Sequence, residues 1–160
     1  MSSELRVDKI VPTAGVPTGG GGGIIQVVSN MQALGQINSP NNTNEFDTGL
    51  NCTITPKFNT SKILIMTCQH CITRSLSNFY HFLNRGTTHI FMLEPFVDTS
   101  SWTAYNASIT FLDSPATTSA TTYKIQIGAD GTAATLYVNR YYSSNNYHGI
   151  STLTLMEVAA

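Results

Sequence analysis

The chain has 160 residues, 41% of them apolar and only 11% charged, with a formal net charge of -1. That length suits one domain, or one domain with a tail, and the apolar share excludes a solvated, charge-driven disordered segment. The few Lys and Arg are scattered, so there is no cationic stripe to displace counterions from a nucleic acid, and no run approaches the ~20 apolar residues of a membrane span.

The N-terminus, Met1-Ser-Ser-Glu-Leu-Arg6, carries no signal-peptide pattern, which points to a protein made in a cytoplasm that stays there or leaves by lysis or assembly. Leu5 to Val11 reads as a short strand; Pro12, Gly15 and Pro17 break it, and Gly19 to Gly23 follow as a hinge. Residues 1–23 therefore read as an extended arm with a glycine hinge, and residues 24–160 as the folded domain. A short apolar segment ahead of a hinge suits docking, with Leu5, Val7, Ile10 and Val11 as anchors; the plainer alternative is a frayed terminus.

From Ile24 the texture is β. Ile24 to Val28 is β-branched, Asn38 to Asn44 is a loop, and Leu50 to Thr55 alternates until Pro56 stops it. Ser61 to Ile72 is apolar on both faces, as in a strand covered on both sides. In Thr73 to Leu83 a helical spacing of Leu76, Phe79, Tyr80 and Leu83 competes with a loop followed by a strand, and the second is preferred. Phe79–Asn84 and Thr88–Leu93 flank Arg85-Gly86-Thr87 as a hairpin. Ala107 to Leu112 ends at Asp113-Ser114-Pro115.

Thr122 to Ile127 alternates cleanly, with Tyr123, Ile125 and Ile127 on one face. Gly128 to Gly131 reads as the turn of a second hairpin, returning through Thr135 to Arg140 with Leu136 and Val138 inward. Gly149 to Val158 closes the chain. About eight to ten short strands with turn signals between them predict an all-β fold, a jelly-roll-like β-sandwich behind an extended N-terminal arm.

The chemistry-bearing residues form no recognisable machinery. Asp47, Asp113 and Asp130 sit beside turn residues, and no pair of acids stands out as a glycosidase pair. Cys68-Gln-His-Cys71 has redox or half-zinc-site spacing, but it continues an apolar strand, where residues three apart point to opposite faces. The three cysteines therefore read as free thiols, and neither an enzyme nor a cofactor is expected. Trp102, Tyr105, Tyr141, Tyr142 and Tyr147 lie among Asn and Ser. Such aromatics pack at subunit contacts or stack on sugars; the first reading is preferred, and Trp102, Tyr141 and Tyr142 are the candidates for host-glycan contact.

Four stretches carry a family likeness: Leu5 to Thr18 with the glycine run and Ile24–Val28; Asp47 to Pro56 with Ser61–Ile65; Phe111 to Val138; and Ser151 to Ala159. They cover about half the chain, while Cys68 to Ala107 matches least. In these stretches the sequence resembles small phage structural proteins, described as tail-fibre or virion proteins, of phages of marine bacteria and cyanobacteria. The resemblance implies a β-sandwich that assembles as a homotrimer in the virion, its arm anchored to other virion proteins of tail, baseplate or capsid. The alternatives are a capsid decoration or head-fibre protein, or a module binding a host surface glycan.

Overall fold

Period-2 burial defines the strands. The structure, a computed structural model, describes residues 23–33, 35–38, 45–73, 78–94, 101–130, 135–141, 143 and 149–159. Within these lie β1 (Ile24–Gln32), β2 (Gln36–Asn38), β3 (Phe46–Ile54), β4 (Lys62–Thr73) and β5 (Phe79–Arg85), then β6 (Thr88–Leu93), β7 (Thr103–Asp113), β8 (Thr121–Ala129), β9 (Leu136–Val138) and β10 (Ser151–Val158). No helix occurs among the described residues. The arm anchors Leu5, Val7, Ile10 and Val11 lie outside them.

The pairing is that of one long hairpin wrapped on itself. β5 pairs β6, β4 pairs β7, β3 pairs β8 and β1 pairs β10, all antiparallel. Successive nested pairs alternate between two sheets, giving β1-β10-β4-β7 in one and β3-β8-β5-β6 in the other. That is the jelly roll, the double-sheet solution of two Greek keys. In the first sheet β10 and β9 lie end to end along one side of β4, against Lys62–Cys68 and Cys71–Thr73 respectively, while β7 takes the other side. β2 continues the outer edge by pairing with β9.

Inward residues of both sheets meet in a core that includes Leu50, Ile54, Ile63, Ile65, Leu83, Tyr123, Ile125, Leu153 and Leu155, each no more than 1% exposed. A second cluster, with Phe79, Ile127, Leu136 and Val138, fills the other end. Truncating one such side chain to Ala costs about 2–5 kcal/mol.

Two expectations need correction. β9 does not return against β8: it lies in the other sheet, paired with β4 and β2. Both edges of β8 are already taken by β3 and β5, and Asp130 does not make a hairpin turn there. Its carboxylate accepts from the Asn78 backbone N–H (2.9 Å) and side-chain amide (3.2 Å), and its own N–H donates to the Asn78 carbonyl, tying the end of β8 to the entry of β5. Secondly, β1 does not end at Val28. Its inward Gln26, Asn30 and Gln32 donate side-chain amides to the Thr55, Asn51 and Thr48 carbonyls (2.7, 2.7 and 2.5 Å). These bonds close the seam between β1 and the free edge of β3, and they let a polar stretch persist as strand.

Where β9 gives way to β10, Asn139 bridges the neighbouring strands. It is fully buried with φ +55°, a conformation Asn tolerates better than most residues. Its N–H donates to the His70 carbonyl, its Nδ2 to the Gln32 carbonyl, and its Oδ1 accepts from Ser151 Oγ (2.6 Å). Its carbonyl accepts from Gly149 N–H. A Cβ at Gly149 would collide with the His70 ring, so only glycine closes this junction.

Candidate assembly surface

The strand register sorts the side chains of the first sheet by face. On β4, Ile63, Ile65, Thr67, Gln69, Cys71 and Thr73 point to the core and are buried; Leu64, Met66, Cys68 and His70 alternate with them on the outside. Pairing extends that outer face across four strands. One row is Val27–Met156–Leu64–Leu112, the next Ser29–Thr154–Met66–Thr110, and the third Met31–Thr152–Cys68–Ser108. Ile24, Val158 and Lys62 form a further row at one end. Lys62 is the only charged side chain at an outward position of β1, β10, β4 or β7.

Most of the large apolar side chains left exposed among the described residues lie here: Ile24 (61%), Val27 (53%), Met31 (62%), Met66 (44%) and Leu112 (49%). A shallow groove of about 400 Å³ runs along the middle, floored by Met66, Cys68, Ser108 and Thr154. Such a contiguous apolar and hydroxyl surface is what marks an interaction face on a globular domain.

The outer face of the second sheet is dressed differently. Asp47 on β3 pairs with Lys124 on β8 (3.0 Å), and His89 on β6 meets Glu45 (3.0 Å) while stacking on Phe82 at 4.4 Å between ring centroids. Asn84 donates to Gln126 across β5 and β8. The Phe82 ring also lies over Gly128, filling the place a side chain would take. These ion pairs and the Asn84–Gln126 bond are made within the subunit, while the Asn84 Oδ1 stays without a partner and Met92 on β6 is 52% exposed.

Between the sheets sits a polar chain. His81, fully buried, directs Nδ1 to Gln69 Oε1 (3.2 Å) and Nε2 to the Tyr105 hydroxyl (3.1 Å). Burial pushes the imidazole pKa down to about 3, so it is neutral, donating at one nitrogen and accepting at the other. Burial likewise raises the Cys71 thiol beside Tyr105. At the other end Asp113 accepts from Arg85 (2.9 Å) and from Tyr123 (2.7 Å), whose phenol burial and that carboxylate push up. Glu157, fully buried on β10, accepts from Gln26 (2.6 Å) and the Lys57 N–H (2.7 Å). Burial alone would raise its carboxyl; these bonds outweigh it and hold it below the usual range.

Cys68 and Cys71 diverge as the strand period requires: Cys68 lies in the outer groove, half-buried, and Cys71 in the core. Among the described residues no three His, Cys, Asp or Glu side chains converge as a metal site. Trp102 meets Tyr137 edge-on at 5.4 Å, and the Arg140 guanidinium lies 5.5 Å from the Tyr137 ring centre, at the far end of the outer face. Tyr141 is 41% exposed nearby in sequence, and Tyr142 lies outside the described residues. The outer face itself was not legible as a site in the sequence. Its only signal was the double-sided apolar run of β4; the residues that complete its rows lie more than 35 positions away in the chain.

No protein-family model and no curated protein matches the chain. Among solved structures it is similar, over 99% of its length, to chains of infectious bursal disease virus: the Gt strain (TM-score 0.45, 9% identity), the Gx strain (0.44, 12%) and T=1 particles derived from the virus (0.41, 8%). The chain spans 44%, 44% and 43% of the length of those chains.

Proposed function

We propose that the chain is a virion structural protein, a tail-fibre-like subunit that assembles as a homotrimer and attaches to a phage particle through Leu5, Val7, Ile10 and Val11. One observation carries the reading: the two outer faces are unlike. One sheet meets water with ion pairs and amide bonds, and the other offers rows of Val, Leu, Met, Ser and Thr with one lysine at the end. A subunit that is covered on one side has this asymmetry; a solitary domain has no reason for it. The jelly roll adds support by analogy alone, since viral capsid domains use it and so do lectins. Sedimentation of the full chain at micromolar concentration tests the assembly, with a trimer expected. Incorporation into particles of a Leu5→Asp, Ile10→Asp variant tests the anchor. A monomeric chain, or unimpaired incorporation of that variant, would refute the corresponding half.

A second reading, host-glycan contact, draws on the Trp102–Tyr137 pair with Arg140 beside it, since aromatic rings with a nearby donor suit sugar faces. A Trp102→Ala variant that adsorbs to host cells as the unmodified protein does would remove it.

A further inference from the structure

We infer that the outer face of the β1-β10-β4-β7 sheet packs against other copies of this chain, the faces turned towards a common symmetry axis. The inference rests on the assembly reading above and names the surface and its occupant. Three features single out a second copy over a different partner or the chain's own N-terminal segment.

The first is chemical self-complementarity. The polar positions in the two central rows are Ser29, Thr110, Thr152, Thr154 and Ser108. A hydroxyl both donates and accepts, so such a surface can satisfy an identical one in any mutual rotation, whereas a carboxylate or ammonium needs an opposite partner. The second is charge. A face with no charge except Lys62 at its end offers nothing to steer or select a charged partner, and in particular no counter-charges for Arg6, Asp8 and Lys9 of the N-terminal segment. Against another copy, Lys62 stays at the solvated margin. The third is size. Four strands about 4.8 Å apart and about eight residues long at ~3.3 Å each give roughly 500 Å² in projection. With side-chain relief this approaches the ~800 Å² per partner of a standard stable interface. Sheet on sheet is also how the domain packs internally, with apolar row against apolar row.

Cys68 reports on this face directly. It lies half-buried in the groove, whereas Cys52 and Cys71 are buried. In the full chain its maleimide labelling is expected to slow at least tenfold between dilute, dissociated protein and the assembled state. Met66→Asp, at a position 44% exposed in the subunit, is expected to weaken association at least about 100-fold and to restore fast labelling. Thr53→Asp, on the outer face of the other sheet, is expected to change neither. An oligomer in which Cys68 labels as fast as in the dissociated chain overturns the inference while leaving the trimer intact. A face-protected dimer supports the inference and overturns the trimer. A monomer at all concentrations, with constant Cys68 reactivity, overturns both. Should Met66→Asp fold poorly, the concentration dependence of Cys68 labelling in the unmodified chain decides alone.

Discussion

The two outer faces of this sandwich are built on the same pleat and the same nested pairing, yet they solve the problem of exposure in opposite ways. The β3-β8-β5-β6 face brings Asp47 to Lys124, Glu45 to His89 and Asn84 to Gln126, so its charges are paired within the subunit. The β1-β10-β4-β7 face leaves Val27, Met66 and Leu112 half exposed and places hydroxyls between them. The difference teaches where to look for assembly in a charge-poor protein. The overall scarcity of charge says little, because what charge exists is spent unevenly.

The largest expected effect lies in the layer both faces share. His81 is neutral in the fold, with a pKa near 3, but has an ordinary value near 6.5 once unfolded. Below pH ~6.5 the unfolded chain therefore takes up a proton that the fold refuses, and stability falls as pH falls, by up to about 1.4 kcal/mol per unit down to pH ~3. Glu157, held below its usual range, acts in the same direction: its contribution is present above its unfolded pKa and lost as pH falls through its folded one. Chemical denaturation across pH 4–7 should show this slope, and it should flatten in His81→Gln. If assembly is lost at a higher pH than the fold, face and core are separable.

Next comes a charge on the bare face. Thr110→Lys, at an exposed position on β7, should weaken association about 100-fold in sedimentation and leave subunit stability within about 0.5 kcal/mol. An unchanged sedimentation profile would erase the distinction between the faces.

A smaller effect is expected at the junction between β9 and β10. Asn139→Ala removes the bonds to Gln32 and Ser151 from a residue at positive φ and should cost about 2 kcal/mol of thermal stability. The smallest is on the dressed face. Lys124→Met breaks the pair with Asp47, where Lys124 is 25% and Asp47 48% exposed, and should cost under about 1 kcal/mol without altering the oligomer. If it instead drove further association, the ion pairs would be what keeps that face solvated.

Much of this was legible in the chain. Alternation placed Tyr123, Ile125 and Ile127 on one buried face, Gly86 between two strands, and Leu136 and Val138 inward. Cys68 and Cys71 diverge because a strand has period two, and that needs no tertiary knowledge. Partner choice was not legible. The Asp130-Gly131 pair carries the local chemistry of a hairpin turn, but the two edges of β8 were already occupied by strands distant in sequence, so β9 joined the other sheet.

The sequence by itself determined which residues extend, which side of each strand is apolar, and that the product is a β-sandwich, because pleat and turn chemistry are local. Only the tertiary structure decided which strands adjoin, and therefore that the uncharged outward residues of β1, β10, β4 and β7 merge into one surface. Registration across a sheet is set by packing between segments far apart in the chain, and no local pattern encodes it.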